Sequence, residues 1–460
     1  MSPLALFLAC LPPDLAPSYL LALVQPVLET IGLAFGAMVL AFLVSLPLGM
    51  IAALNLRGAR SLLVVLGALR AVPGLTLAIL CVILFGIGPG AGMTALAIYY
   101  TAGMAKMFAD LLRTAPQAPL QALRAAGASR PQTVLFGLLP LKRADLIAYG
   151  AYEFECALRA SVIVGAVGGG GLGGELVGSL AAMDFRRVAT QILVLVSLAA
   201  VFDAVALQLR RRPRWLLALI PLGLAAAVAY SPRPVALEHS LRVLADMWPP
   251  ELPAQGWAAL PQRILETLWM AGAGTAGAVL VALVAGPMGA RNLAPAWLAW
   301  PARRLMEVAR AIPEVVWGLL LIATAGIGPA AGAWALGLHS AGCLARLFAD
   351  ALENALAAPQ AAIAATGASR LQVFAFGTAP LTLAPLAAHS LFRFEWNLRM
   401  ATVLGVIGAG GVGQALYEAQ QLFFYRQMLA YLLVTAGLLI VVERAGEAVR
   451  RRYNLLHSFA

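Results

Sequence analysis

The segment TIGLAFGAMVLAFLVSLPLGMIAAL (residues 30–54) decides the fold of this protein, because it is long, apolar and without a charged side chain. About 20 apolar residues cross a bilayer as a helix, and backbone groups in lipid must find their partners within the protein. Of the 460 residues, 62% are hydrophobic and 12% are charged, whereas a soluble protein carries about 25% charged residues. We therefore predict an all-α polytopic membrane protein.

A repeat at an offset of 240 residues organises the chain. "RAVP" (70–73) recurs as "RAIP" (310–313), and "GASR" (127–130) recurs as "GASR" (367–370). Such a period indicates two copies of one structural unit. The predicted parts are a first domain, a linking helix with an external segment, and a second domain, over residues 1–214, 215–262 and 263–460.

Each copy has five apolar segments, and one more lies between the copies. They are found near 24–54, 64–85, 91–112, 145–167 and 188–209, near 215–230, and near 264–290, 305–325, 330–352, 383–407 and 428–448. These segments predict about eleven transmembrane helices. The additional helix gives both copies the same orientation, so we predict a tandem parallel repeat rather than an inverted one.

Basic residues concentrate in the loops on one side of this arrangement. They are Arg57, Arg60, Arg124, Arg130, Lys142, Arg143, Arg210, Arg211, Arg212, Arg214, Arg303, Arg304, Arg450, Arg451 and Arg452. The positive-inside rule places that side in the cytoplasm, which accounts for the net charge of +11 without a nucleic-acid partner. We predict a multi-pass protein of the bacterial inner membrane, with its N-terminus outside and its C-terminus in the cytoplasm.

A long loop joins the third and fourth helices of each copy on the cytoplasmic side (118–143 and 358–383). A helix–glycine–helix unit held by two membrane helices is longer than a simple connection requires, which indicates a docking surface. The residues predicted to form it are Gln121, Gly127, Ala128, Ser129 and Pro140 in the first loop and Ala361, Gly367, Ala368, Ser369 and Pro380 in the second.

The two loops resemble the coupling loop of ABC-importer permeases, whose pattern is E-A-A, three residues, Gly, nine residues and I-x-L-P. The spacing from Gly127 to Pro140 and from Gly367 to Pro380 follows that pattern, whereas Gln121 and Ala361 replace its glutamate. The stretches "RAIPEVVWGLLL" and "LFRFEWNLRMATVLGVIGAGGVGQAL" are similar to permeases of phosphonate and phosphite importers. The resemblance implies two fused permease domains that carry a phosphorus oxyanion.

No phosphate-binding motif of the form G-x-x-x-x-G-K-[ST] occurs in the chain. We therefore expect no cofactor and no catalytic residue in this chain, and expect ATP to be used by separate subunits. The resemblance implies two copies of an ABC ATPase at the loops and an external substrate-binding protein as partners. The cysteines and histidines show no metal-ligand spacing, so we predict no metal site.

Two pairs of opposite charges lie within predicted spans, Glu155 with Arg159 and Glu395 with Arg399. Residues four apart share one face of a helix, and a lone charge in lipid is costly. Two interpretations stay open. The charges are either structural ion pairs between packed helices or groups that line the path or gate and help an oxyanion to pass.

The pattern G-x-G-x-x-G occurs twice, at Gly168, Gly170 and Gly173 and at Gly408, Gly410 and Gly413. It is typical of dinucleotide-binding folds when it joins a strand to a helix in a soluble unit. Here each cluster follows a membrane helix. We therefore predict helix breaks or close backbone contacts near the outer mouth or gate.

Three classes of function fit these observations to different degrees. Parallel repeats with paired cytoplasmic loops favour the permease of an ABC importer. Inverted repeats would favour an ion-coupled secondary transporter of a small anion. A soluble unit of alternating strands and helices around 400–440 would favour a membrane oxidoreductase, but the apolar segment 428–442 is typical of a membrane span.

Overall fold

A computed structural model describes residues 12–72, 74–212, 215–231, 237–355 and 357–452. Within them the chain divides into two compact halves at residues 245 and 246, inside the segment predicted to be a linker (215–262). Both chain ends, whose sides of the membrane were predicted, and Arg214 lie outside the described residues, as do the side chains of Arg210 and Arg451.

The regular elements described in the N-terminal half are helices. Its helices are α1 (Pro17–Ala53), α2 (Ala59–Ala71), α3 (Gly74–Phe85), α4 (Pro89–Arg113), α5 (Gln117–Ala125), α6 (Arg130–Thr133), α7 (Leu139–Val164), α8 (Leu172–Ala181), α9 (Phe185–Arg211), α10 (Leu216–Ala229) and α11 (Leu237–Asp246). Two π-helical turns, Val134–Leu138 and Gly165–Gly169, flank α7.

The C-terminal half repeats this order. Its helices are α12 (Ala254–Gly289), α13 (Ala296–Ala311), α14 (Glu314–Ala325), α15 (Pro329–Glu353), α16 (Ala357–Ala365), α17 (Arg370–Val373), α18 (Ala379–Leu404), α19 (Gly411–Gln421) and α20 (Tyr425–Arg452). Its π-helical turns are Phe374–Thr378 and Gly405–Ala409. The all-α class and the tandem repeat are thus confirmed.

Each of the eleven predicted apolar segments overlaps helices of the described residues, but not all of these helices are straight and long. Among the described residues, five are long and apolar enough to cross a membrane, and up to seven if each bent helix pair forms one span. The predicted segment 64–85 is such a pair, since α2 and α3 meet at 90°. In the second copy α13 ends at Ala311 and α14 begins at Glu314, because Pro313 lacks the N–H that would continue the helix.

The structural repeat extends further towards the N-terminus than the offset of 240 shows. "PPDL" (12–15) and "PPEL" (249–252) match at an offset of 237. Each segment docks on the start of the last long helix of its half, where the N–H of Asp14 donates to the Arg186 carbonyl and that of Glu251 to the Arg426 carbonyl. The second copy therefore begins by Pro249, within the predicted linker.

The core of each half is a pair of helices in close contact along their length, α1 with α4 and α12 with α15. Small residues make this approach possible. A Cβ atom added to Gly49 would lie 2.8 Å from the Phe108 Cβ, and one added to Gly286 would lie 2.8 Å from the Phe348 Cβ. Helices in membranes associate through such close packing, because lipid supplies no hydrophobic force between them.

Replacing Gly49 by alanine therefore tests the helix contact. We expect Gly49→Ala to lower the free energy of unfolding by about 1–3 kcal/mol, the usual cost of overpacking, as measured by SDS titration of the purified protein. Gly103→Ala in α4 is the matched control, because a Cβ there meets no atom within 4 Å. Equal stability of the two variants would contradict the packing described here.

Candidate functional site: two coupling loops and two glycine elbows

The first candidate element is the loop between α4 and α7, which has the predicted helix–glycine–helix form. Gly127 follows α5 with φ +87°, a conformation that disfavours any side chain. Ser129 then begins α6, and its backbone N–H donates to the Gln132 Oε1 (2.8 Å). Ala128 is half-buried beneath this turn, whereas Gln121, at the position of the family's glutamate, is exposed.

The second loop has the same geometry at an offset of 240. Gly367 has φ +83°, and the Ser369 N–H donates to the Gln372 Oε1 (2.8 Å). Ala361 is exposed and Ala368 is half-buried, as their counterparts are. In each half the predicted Gly-Ala-Ser residues form one turn, whereas Gln121 and Ala361 lie in the helix before it.

Each loop departs from a simple helix boundary at its proline. Pro140 and Pro380 lie in the first turn of α7 and α18, directly after π-helical turns through which the backbone stays helical. The predicted boundary is thus a widened helical turn, and this turn accommodates the proline, which has no N–H to donate. Gly137 is buried in the first of these turns and packs against α5. A Cβ added to Gly137 would lie only 2.7 Å from the Leu123 side chain.

Large apolar side chains project from both loops. Phe136 and Phe376, at equivalent positions, have 67% and 73% of their surfaces exposed. Leu135 in the first loop and Leu371 in the second are exposed as well. Exposed apolar clusters of this kind mark surfaces that bind a partner.

Ion pairs hold the helix end that precedes the second loop. Arg303 lies 2.5 Å from the Glu353 carboxylate and also donates to the Gly289 carbonyl. Although burial alone would raise it, the Arg291 N–H and the Arg303 guanidinium hold the pKa of Glu353 below its usual value. At the equivalent position of the first half, Arg113 donates instead to the Ala52 carbonyl (2.9 Å).

The second candidate element is the glycine break between α7 and α8, here called the first elbow (Gly168–Gly173). Gly168, Gly170 and Gly171 all have positive φ, and the two helices differ in direction by 63°. Gly173 has no room for a side chain, because a Cβ would overlap the Val162 carbonyl. The predicted helix break is therefore present.

The second elbow (Gly408–Gly413) repeats this backbone between α18 and α19. Gly408 has φ +103° and Gly410 has φ +92°, and Gly413 contacts the Thr402 carbonyl so closely that only glycine fits. Neither elbow joins a strand to a helix, so neither has the context of a dinucleotide-binding fold.

Sequence reasoning missed the residues that hold the elbows. In the first half the Gly171 N–H donates to the Glu29 Oε2 (3.0 Å), and the Leu172 N–H donates to the Thr30 Oγ1 (2.8 Å). In the second half Glu266 and Thr267 accept from Gly411 and Val412 at 2.9 and 3.0 Å. The available signal was "Q-x-x-L-E-T", at 25–30 and 262–267.

The predicted charge pair of α18 makes its ion pairs with α20. Glu395 lies 2.6 Å from Arg450, and Arg399 lies 3.5 Å from Glu443. Gly446 allows the first contact, since any side chain there would overlap the Glu395 carboxylate. This geometry favours a structural ion pair between packed helices, one of the two open interpretations.

The counterpart of this charge pair in α7 is Glu155 with Arg159. Arg159 lies 3.8 Å from the Cys156 sulfur. The α9 residues equivalent to Glu443 and Arg450 are Asp203 and Arg210, whose side chains lie outside the described part of the structure. The role of Glu155 and Arg159 therefore stays a prediction.

A buried polar network in the C-terminal half was also missed. The Glu314 Oε1 accepts from Trp396 (3.1 Å) and Arg393 (3.3 Å) and lies 3.1 Å from the His339 Nε2. Charged residues inside predicted spans were the available signal. In the first half Glu153 occupies the position of Arg393 and accepts from the Tyr149 hydroxyl, so the sign of this charge differs between the halves.

Replacement of either residue of the Glu395–Arg450 ion pair tests the structural interpretation of Glu395. We expect Glu395→Gln and Arg450→Gln each to destabilise the protein. In a double-mutant cycle measured by SDS unfolding, the two changes should couple by about 0.5–3 kcal/mol, as contacting pairs do. Lost transport with unchanged stability and zero coupling would instead support a role in the path.

Comparisons with known proteins agree with the class of protein that this architecture defines, a polytopic membrane permease with an internal repeat. The family model described as "Binding-protein-dependent transport system inner membrane component" matches residues 45–215 and 278–455. The chain therefore belongs to this family of inner-membrane ABC-importer permeases and carries its domain twice. It is a multi-pass transport subunit and not an enzyme.

Curated relatives match the chain over most of its length or over about half of it. The phosphate-import permease protein PhnE of Mycolicibacterium smegmatis is 31% identical over 449 residues, which are 92% of this chain and 84% of that protein. The phosphite transport system permease protein PtxC of Stutzerimonas stutzeri is 35% identical over 210 residues, 45% of this chain and 76% of that protein. A solved structure of the MetNI methionine ABC transporter in inward-facing conformations is 22% identical and covers 44% of this chain and 99% of its own, with a TM-score of 0.41.

Proposed function

We propose that this protein is the permease of an ATP-driven importer of phosphate, phosphite, phosphonate or a related phosphorus oxyanion, and that both halves contribute to one translocation path. The observation that carries the proposal is the similarity to a phosphate-import permease over 92% of the chain. The phosphite permease aligned to 45% of the chain supports the same substrate class.

The two loops are the proposed docking sites for two copies of an ABC ATPase. Their support is the equal geometry of the exposed turns after Gly127 and Gly367 and the exposure of Phe136 and Phe376. This chain then binds no cofactor itself, and ATP is bound and hydrolysed by the partner subunits. Movement of the nucleotide-driven ATPase dimer would reach α7 and α18 directly, since these helices continue from the loops.

The elbows and the charged residues Glu155 and Arg159 of α7 are the proposed elements of the path, whereas Glu395 and Arg399 of α18 pair with α20. A glycine break inside a membrane helix is tolerated where it faces protein or water, which supports a place for both elbows near the outer gate. Arginines near a path attract an oxyanion, but a pore must also release what it admits. Substrate delivery by an external binding protein, with the N-terminus outside and the C-terminus in the cytoplasm, completes the proposal.

Uptake into proteoliposomes tests the substrate class and the energy source. We expect vesicles that contain this chain, its ATPase and its binding protein to accumulate labelled phosphate, phosphite or methylphosphonate only with ATP. An ATPase variant that binds but does not hydrolyse ATP should lower uptake to the level without ATP. Uptake that persists with this variant, or follows a proton gradient, would contradict an ATP-driven importer.

Bulky residues at the two loop glycines test the docking role. We expect the double variant Gly127→Leu and Gly367→Leu to lose at least tenfold of its uptake per ATP hydrolysed, because leucine disfavours the positive φ and alters the exposed turn. Gly58→Leu is the matched control, since Gly58 has φ +82° and open surroundings outside the loops. Normal coupling in the double variant, or an equal loss in the control, would contradict docking at these turns.

A further inference from the structure

Each elbow is held by an equivalent set of a glutamine, a glutamate and a threonine, and each set is here called an anchor. The glutamate and the threonine accept from the elbow backbone, and the glutamine donates to the glutamate. The anchor residues are Gln25, Glu29 and Thr30 in α1 and Gln262, Glu266 and Thr267 in α12. Thr30 and Thr267 are 1% and 0% exposed. The same arrangement, with equivalent partners, occurs in both halves of the chain, so it belongs to the repeated fold and not to one loop.

The acceptors of each anchor are oriented by their own helix. The Gln25 amide donates to the Glu29 Oε1 (3.1 Å), which leaves the Oε2 for the Gly171 N–H. The Thr30 hydroxyl donates to the Pro26 carbonyl (2.8 Å), so its lone pairs face the Leu172 N–H.

The second anchor has the same bonds. The Gln262 amide donates to the Glu266 Oε1 (3.0 Å), and the Thr267 hydroxyl donates to the Arg263 carbonyl (2.9 Å). A carboxylate at a helix N-terminus is also favoured by the helix dipole. Both anchors are therefore set to bind the first N–H groups of α8 and α19.

The glycines of the elbow fit the anchor. A Cβ added to Gly171 would lie 2.6 Å from the Thr30 Oγ1, and the residue has φ +73°. Gly411 has the same φ and the same neighbour, Thr267. Any side chain at these two positions would displace the threonine hydroxyl that caps the next helix.

A second tie holds each elbow from the other side. The Gly88 N–H, in the turn before α4, donates to the Gly168 carbonyl (2.9 Å), and the Gly328 N–H donates to the Gly408 carbonyl (3.1 Å). Between the two ties lies one glycine of positive φ in each half, Gly170 (+80°) and Gly410 (+92°). The two ties therefore fix each elbow to the closely packed helix pair of its half, α1 with α4 or α12 with α15.

We propose that the anchors make α8 move with α1, and α19 move with α12, during the transport cycle. Glu29, Thr30, Glu266 and Thr267 are then positioning residues for transport. This inference rests on the proposed function, because it assigns a coupled helix movement to the transport cycle.

Replacement of the two threonines tests the proposal. In Thr30→Val with Thr267→Val, the Leu172 and Val412 N–H groups lose their acceptors. We expect hydrogen exchange of the peptides that contain them to become at least tenfold faster, and phosphate or phosphite uptake per ATP to fall at least fivefold at equal reconstituted amounts. Thr30→Ser with Thr267→Ser keeps the hydroxyl and should stay within twofold of the unaltered protein in both measurements.

Two other threonines supply the matched control. The hydroxyls of Thr94 and Thr435 donate to carbonyls of their own helices, those of Gly90 and Tyr431. The double variant Thr94→Val with Thr435→Val should therefore leave two quantities unchanged, the hydrogen exchange rate of the elbow peptides and the uptake per ATP hydrolysed. Coupling lost equally in this control, or retained in the valine variant of the anchor, would overturn the positioning role.

A further pair of variants keeps the test decisive if the valine protein does not assemble. Glu29→Gln with Glu266→Gln keeps an acceptor but removes the charge, and we expect faster exchange at Gly171 and Gly411 with reduced coupling. Unaltered values, or failure of this pair to assemble as well, would overturn the proposal in favour of a purely structural cap. Absence of ATP-driven uptake by the unaltered protein would contradict the proposed function instead, whatever the exchange result.

Discussion

A backbone N–H that is removed from water must donate to another protein atom, and each half meets this requirement at the glycine break that follows α7 or α18. After the break, the first N–H groups of α8 and α19 have no partner in their own helix. Side chains of the first span supply the acceptors, Glu29 and Thr30 in one half and Glu266 and Thr267 in the other. The glycine breaks therefore exist only because the first span lies directly against them.

That position of the first span depends in turn on small side chains. Gly49 and Gly286 let α1 and α12 approach α4 and α15 to backbone distance. The turns before α4 and α15 then reach the elbows through Gly88 and Gly328. Close packing, capping and the helix break are thus parts of one arrangement, in which each contact places the next.

The two halves share their backbone but not their charges. Arg393 and Glu314 form an ion pair in the C-terminal half, whereas Glu153 pairs with a tyrosine hydroxyl in the N-terminal half. Glu353 and Arg113 differ in the same way before the loops. Fusion of two copies in one chain permits this divergence, because a residue can change in one copy while its counterpart in the other copy is kept. The exposed turns that would contact partners, by contrast, have kept one geometry.

The sequence by itself determined the helical membrane class, the duplication and the two loops, because composition, apolar length and the spacing of glycine and proline act locally along the chain. It also located the glycine clusters but left their use open. Only the tertiary structure decided which side chains cap the elbows, since Glu29 and Gly171 are 142 residues apart. The second copy has three additional residues between α12 and "RAIP". The two anchors are therefore 237 residues apart, and a search at a period of 240 does not align them. The partners of Glu395 and Arg399 were likewise decided by packing against α20, because an ion pair between helices leaves no regular spacing in the sequence.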